Sequence, residues 1–346
     1  MGPRWFYGLA GSVFLIVALW WGRSFLVPIV VALILFVLLN ALISRIASFQ
    51  VAGRNIPRPA ATALGIAVVA LGLVFFTAVL TQQVNAAVEA MPRYLDRLDE
   101  LLEAAGRYVG EDVSSQLAGA VRDINLTERI PTLLGSAGAM LTAIALVVIY
   151  LAFMFAERPI FWTKLSLVLN RGPEDRAHVI LRAINHSIER YFWVKLLTSA
   201  LTGGAAYAVI KPLGLDFAET WALVIFFLNF IPNIGSAVAT LLPTLVALVQ
   251  FDSFTPFLVV GLGVTSIQLV VGNVLEPALM GRTLNLSPLV IILSLTFWGA
   301  IWGVVGMFLS VPIMVTVLIV AAQFPAWRPL AVMLSNDGDI PPLANE

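Results

Sequence analysis

Two apolar runs, Trp5–Trp21 and Ser24–Ile43, follow one another across the tight turn WGRS. A helix that crosses a bilayer needs about 20 apolar residues. In lipid, each backbone N–H and C=O must be bonded inside the protein, so runs like these have helices as their solution. The pattern recurs at Ala60–Leu80, Ile130–Phe155 and Tyr191–Ile210. With 60% hydrophobic and 12% charged residues, the chain sits far from the roughly 25% charge of soluble domains. Mean hydropathy is +0.95. The expected fold class is therefore an all-α polytopic membrane protein. The first run is read as a retained span rather than a signal peptide, because bulky residues and a second apolar run follow it at once. Phe6 stands where a myristoylation signal wants Ser or Thr.

Lys and Arg in short loops orient such a chain. Segment 44–59 holds Arg45, Arg54 and Arg58 and no acid, which predicts a cytoplasmic loop and a cytoplasmic N-terminus. Segment 82–129 carries nine acids against five Arg and is expected outside. Segment 157–195 has seven Lys or Arg against four acids and is expected inside. The expected layout is a three-span region 1–81, an extracytoplasmic helical arm 82–129, a fourth span 130–156, a cytoplasmic amphipathic segment 157–192, a core 193–325 and a cytoplasmic tail 326–346.

The arm repeats Val84, Val88, Met91, Leu95, Leu98, Leu102, Ala105 and Val109 at heptad spacing. Nothing breaks the helix between the third span and Met91, and Pro92 is expected to kink it. The apolar seam packs either on its own protein or on copies of itself. In 174–191, Ile180, Ile184, Ile188 and Tyr191 share one face. This segment is expected along the membrane surface before a turn into the fifth span.

Beyond residue 193 the runs become irregular. In FFLNFIPNIGSAVATLLP, Thr220–Ile231 would rise only about 18 Å as a helix, against a hydrocarbon core of about 30 Å. P-N-I-G follows, then a second piece, Ser236–Gln250. The unbroken run Pro256–Gly272 leads to another interrupted element: Pro288–Trp298, the glycine-rich GAIWGVVG and Met307–Gln323. Two broken helix pairs in units of opposite orientation are a layout of secondary transporters, which place a polar site at the breaks. The bland alternative is that Pro and Gly only kink packed helices.

KLLTSALTGGAAY, FLNFIPNIGSAVATLLPTLVAL and GNVLEPALMGRTLNLSPLVIILSLTFWGAIWGVVGMFLSVPI resemble the blocks of the AI-2E family, also described as the permease-like PerM group. The resemblance covers the whole layout. It implies a bacterial inner-membrane protein of about eight spans that assembles with its own kind as a homo-oligomer. The implied function is export of the quorum-sensing signal autoinducer-2, with Na+(Li+)/H+ antiport as an alternative. Many members resemble E-G-N before the VLEP block; here the residues are Val271, Gly272 and Asn273. A cation route through a carboxylate at that position is doubtful in this chain, and Glu276 remains.

Ionisable and polar groups in a membrane block are functional candidates by default. Asn229, Pro232, Asn233, Gly235 and Ser236 flank the first break. Gln268, Asn273 and Glu276 lie along the following run, Glu276 either buried as a proton carrier or at the interface near Arg282. Lys195, Ser199 and Thr202 share a face of the fifth span; Lys195 is expected to reach the cytoplasmic surface, while Ser199 and Thr202 either line a path or only bond to the carbonyl one turn back. Gly299, Gly303 and Gly306 are candidate backbone hinges. Asp216 and Glu219 are expected to cap the helix entering the break. A membrane scaffold without transport is the third reading.

No nucleophile set, nucleotide loop or zinc motif is present, so no enzyme activity or cofactor is expected. The chain has no Cys, which excludes thiolate chemistry, and His178 and His186 are read as surface residues, not metal ligands. With a net charge of zero, nucleic acid is not an expected partner. The expected partners are the lipid bilayer and a small solute or monovalent cation.

Overall fold

The computed structural model describes residues 4–48, 50–51, 54–109, 126–169, 174–281 and 284–340. They form an all-α polytopic membrane protein: α1 (Arg4–Trp21), α2 (Arg23–Ser48), α3 (Arg58–Val109), α4 (Leu126–Leu169), α5 (Glu174–Ile210), α6 (Ala218–Leu228), α7 (Ile234–Gln250), α8 (Thr255–Val270), α9 (Glu276–Met280), α10 (Pro288–Ala322) and α11 (Arg328–Leu334). A two-residue antiparallel pair, β1 (Gln50–Val51) and β2 (Arg54–Asn55), joins α2 to α3. Among the described residues, five helices are long and apolar enough to span: Arg23–Asn40, Leu141–Phe161, Ile180–Leu213, Thr255–Met280 and Pro288–Ala322. Their exposed Leu, Val, Ile and Phe are what a lipid-facing surface requires, because lipid tails are as apolar as the side chains.

The chain divides into two compact units. The first comprises Met1–Ala70, Ile144–Leu196 and Ala278–Glu346. Its core joins Ala32, Leu39 and Ile43 of α2 to Ala61 of α3 and Val147 and Leu151 of α4. Phe36 and Phe155 stack with ring centres 4.6 Å apart. Gly22 alone separates α1 from α2, and Leu19 O accepts the indole N–H of Trp302 at 3.1 Å. The second unit comprises Leu71–Ala143 and Leu197–Pro277. Ala206, Ile210, Ala218, Ile225, Ala239, Ala247, Val260 and Val264 form its core. Small residues let these helices approach closely. A Cβ on Gly203 would lie 2.7 Å from Ala222 O, so α5 and α6 touch backbone to backbone there.

Two expectations about the layout need correction. The turn expected near Tyr191 is absent: α5 runs unbroken from Glu174 to Ile210. Its predicted face holds, since Ile188 and Tyr191 are buried, and that face packs as a continuation of the span rather than floating on a surface. The fourth span belongs to a longer helix than Ile130–Phe155, extending over Leu126–Leu169. α3 does continue past the third span to Val109, as its unbroken pattern required. Seam side chains other than Leu95 lie outside the described residues, and Leu95 is exposed. His186 is exposed, and the side chain of His178 lies outside the described residues.

Candidate functional site

The first broken element is a hairpin that returns to its own entrance. Asp216 N, just before α6, donates to Gln250 Oε1 at the end of α7 over 2.7 Å. Gln250 Nε2 donates to Gly214 O at 2.8 Å. One amide side chain thus ties the start of the pair to its end, so the pair returns to the side it left, and α6, at 11 residues or about 16 Å, is too short to cross a hydrocarbon core of about 30 Å. The base of α3 beyond its span holds both ends. Arg93 and Tyr94 donate to Asp216 Oδ2, the latter at 2.8 Å, and Arg97 pairs with Asp252 at 3.1 Å. Arg93 and Arg97 are one turn apart, about 6 Å along the helix, which fits two hairpin ends at one level. Burial, then the neighbouring Asp216 carboxylate, push the Tyr94 phenol from 10.0 up to about 12.

This clamp corrects the capping expectation. Phe217, at φ 60°, precedes α6 and no side chain caps that helix. Asp216 is engaged by Arg93 and Tyr94 instead, while Glu219 accepts hydrogen bonds from Lys211 at 2.5 Å and Tyr207 at 3.1 Å. Charge alone marked these acids for a helix start, but the cation that reaches Asp216 comes from 123 residues earlier in the chain and the one that reaches Glu219 from eight residues earlier.

At the tip, α6 ends at Leu228, and Asn229–Asn233 reverse the chain. Gly235 packs against Leu228 so tightly that a Cβ would lie 1.8 Å from Leu228 O. In a straight helix these residues would be about 10 Å apart. Asn233 takes φ 60°, ψ −59°, a conformation that Asn tolerates better than most side chains. Asn229 is buried, and its Nδ2 donates to buried Ser199 Oγ on α5 at 3.1 Å. Thr202, one turn on and wholly buried, donates to Thr198 O at 2.8 Å. The structure therefore unites Asn229 with Ser199, whereas Pro232 is half-buried and Asn233 exposed at the tip.

Beside this hairpin, α7 and α8 form a groove of about 550 Å³. Ser236, Thr240 and Thr244 line it from α7, and Gly261, Thr265 and Gln268 from α8, with no ionisable side chain among the described lining residues. Thr244 donates to Thr240 O and Thr265 to Gly261 O, so both hydroxyl oxygens keep free lone pairs. Gln268 is 9% exposed, and its Nε2 has no hydrogen-bond partner. Leaving a buried donor unmade costs about 1–3 kcal/mol. Ser236 and Gln268 were legible in the sequence; Thr240, Thr244 and Thr265 were missed, although 236, 240 and 244 fall on one helical face and 261, 265 and 268 on another.

α8 passes through a π-helical turn, Val271–Leu275, into α9. Such a turn shifts the facing of all that follows. Asn273 is exposed and Glu276 is half-buried, and neither lines the groove. Lys195, expected at the surface, is only 4% exposed. Snorkelling needs a helix that ends nearby, and α5 instead continues for several turns on the N-terminal side of Lys195.

The second broken element folds at one residue. Within α10, Gly303 has φ 63°, ψ −145°, a region open essentially to Gly. A Cβ on Gly306 would lie 2.0 Å from Trp298 O, and one on Gly299 3.0 Å from Met307 Cε. Residues eight apart would be about 12 Å apart in a straight helix, so this element too is folded back on itself. The three predicted hinge glycines thus have distinct parts: Gly303 turns the chain, while Gly299 and Gly306 admit the close approach.

Apolar spanning helices, a short helical hairpin closed at its base and polar side chains held at its tip fit a multi-pass membrane transporter. The AI-2E family transporter pattern matches residues 9–326, and the chain belongs to that family. It is 35% identical over 315 residues, 90% of this chain and 89% of the relative, to "AI-2 transport protein TqsA" of Escherichia coli K12. It is 27% identical over 349 residues, 97% of each chain, to a "Putative transport protein" of Haemophilus influenzae. It is 28% identical over 312 residues, 88% of this chain and 86% of the relative, to "Putative transport protein YhhT" of Escherichia coli K12. The chain is thus a bacterial multi-pass membrane protein of a transporter family.

Proposed function

We propose that the protein is a secondary carrier for a small, uncharged, hydroxylated solute, with autoinducer-2, the cargo named for TqsA, as the first candidate. The observation that carries this reading is the buried, unpartnered amide of Gln268 in a groove without ionisable groups. Its Nε2 offers a donor to a ligand oxygen, and Thr244 and Thr265 offer acceptors to ligand hydroxyls. Asn229 and Ser199 hold the hairpin tip, and Ser236 at the start of α7 leads into the groove. Movement of the hairpin about its closed base would alternate access to that path. The charge distribution supports cytoplasmic termini, an extracytoplasmic arm and insertion of the first hairpin from the outer side. The folded-back α10 supports pairing of the two broken elements as inverted units, and the arm supports assembly as a homo-oligomer. Monovalent cation exchange draws no support from the groove, which Glu276 does not line.

The test is efflux of autoinducer-2 from proteoliposomes of purified protein, with internal pH read in parallel. Gln268→Leu is expected to lower efflux at least tenfold while the unfolding temperature holds or rises, because the variant removes a buried unmade donor. Glu276→Gln is expected to transport normally. Undiminished efflux in Gln268→Leu refutes the assignment of the groove. Proton movement driven by Na+ that vanishes in Glu276→Gln refutes the uncharged-solute reading.

A further inference from the structure

The first unit holds a second cleft, of about 730 Å³, between the end of α2, the start of α3 and the second half of α4. Its walls are apolar, with Ile43, Ile66 and Phe155 among the lining residues. Two cations reach it from different helices: Arg58 at the first residue of α3 and Arg158 near the end of the Leu141–Phe161 span. Neither arginine has an ion pair or hydrogen bond to an acid among the described residues. No Asp or Glu precedes Glu89 in the chain, and no acid is among the described residues that line the cleft. Asn40 and Thr62 also line the cleft.

Two guanidinium groups lining an apolar cleft, one at the start of α3 and the other near the end of the Leu141–Phe161 span, match one kind of molecule: an anionic head above a hydrocarbon tail. Arg binds phosphate oxygens with paired N–H donors, whereas a zwitterionic head brings a compensating cation. Basic pockets between membrane helices take anionic phospholipid heads for this reason. We propose that this cleft binds an anionic glycerophospholipid, its phosphate between Arg58 and Arg158 and an acyl chain along Ile43, Ile66 and Phe155. The site lies wholly in the first unit and does not depend on the solute groove.

The test uses the purified full chain in phosphatidylcholine bilayers, with spin-labelled phosphatidylglycerol and spin-labelled phosphatidylcholine as probes of association. The wild type is expected to prefer the glycerol lipid, and Arg58→Gln/Arg158→Gln to lose about thirtyfold of that preference at low salt, from the attraction typical of two basic residues near a charged headgroup. Arg182→Gln, on the exposed face of α5, is expected to change nothing. In the unmutated chain, raising NaCl from about 50 to about 500 mM is expected to erase most of the preference, which tests the idea without relying on the folding of a variant. Equal association of the two lipids, or a preference indifferent to both salt and the double substitution, overturns the proposal. Complete displacement of the labelled lipid by millimolar inorganic phosphate would assign the arginines to a free anion and overturn the lipid assignment.

Discussion

Replacing Gly235 by alanine puts a methyl carbon 1.8 Å from Leu228 O, 2.7 Å from Leu228 C and 3.2 Å from Ile231 Cβ. Ordinary carbon to oxygen contact begins more than an ångström further out, and the obstructing atoms are backbone. The tip must open by at least that amount. Overpacking in a rigid setting costs about 1–3 kcal/mol. Here the displacement also strains two neighbouring hydrogen bonds, Gly235 N to Ile231 O at 3.1 Å and Asn229 Nδ2 to Ser199 Oγ at 3.1 Å. Each is worth about 1 kcal/mol, so the expected loss is about 3–5 kcal/mol. Thermal unfolding of purified protein, followed by tryptophan fluorescence, reads the stability, and proteoliposome efflux reads the function. Gly204→Ala is the matched control: nothing lies within 4 Å of its added Cβ, and α5 gains helix propensity of up to about 1 kcal/mol. Gly235→Ala is expected to melt well below the control and to lose efflux. If both variants melt and transport alike, the backbone contact at the hairpin tip does not govern either property.

Gly303→Ala meets no steric obstacle, yet its φ of 63° and ψ of −145° should cost about 1–3 kcal/mol of backbone strain, read as a lower unfolding temperature. The Tyr94 phenol sits at about 12 in the folded protein against 10.0 when free, so the folded state holds its proton longer. That contribution is complete below pH 10 and disappears as pH rises toward 12; Tyr94→Phe should flatten this alkaline loss in a pH series of unfolding temperatures. Because the chain has no Cys, single cysteines at exposed Pro212 and Ser253 are clean reporters. A membrane-impermeant maleimide should label both from the same side of sealed vesicles, and labelling from opposite sides would contradict the closed hairpin base.

How much of this was legible in advance depended on how local the governing physics was. The spanning runs, the long α3 and the two interruptions follow from lengths and from Pro and Gly placement, which act within one or two turns. Asn229 and Ser199 could be marked separately, as polar residues in apolar helices, but their 3.1 Å bond joins positions 30 apart and no spacing rule predicts it. Asp216 was misassigned to a cap for the same reason: a local rule was applied where Arg93 and Tyr94, far upstream, decide the partner. The hydroxyls of Thr240, Thr244 and Thr265 look unremarkable along the chain and acquire meaning only when α7 and α8 pack and leave Gln268 unmade between them.

By itself, then, the sequence determined a helical, lipid-embedded chain, the places where helices stop short of crossing and the small residues that permit close packing, because the bilayer imposes those constraints on each segment separately. Only the tertiary structure decided that Gln250 closes the first hairpin on Asp216, that Gly303 alone turns the second, that Lys195 is buried and that two arginines face one cleft. Those outcomes depend on which surfaces meet, and a meeting of surfaces is a property of at least two segments that neither carries alone.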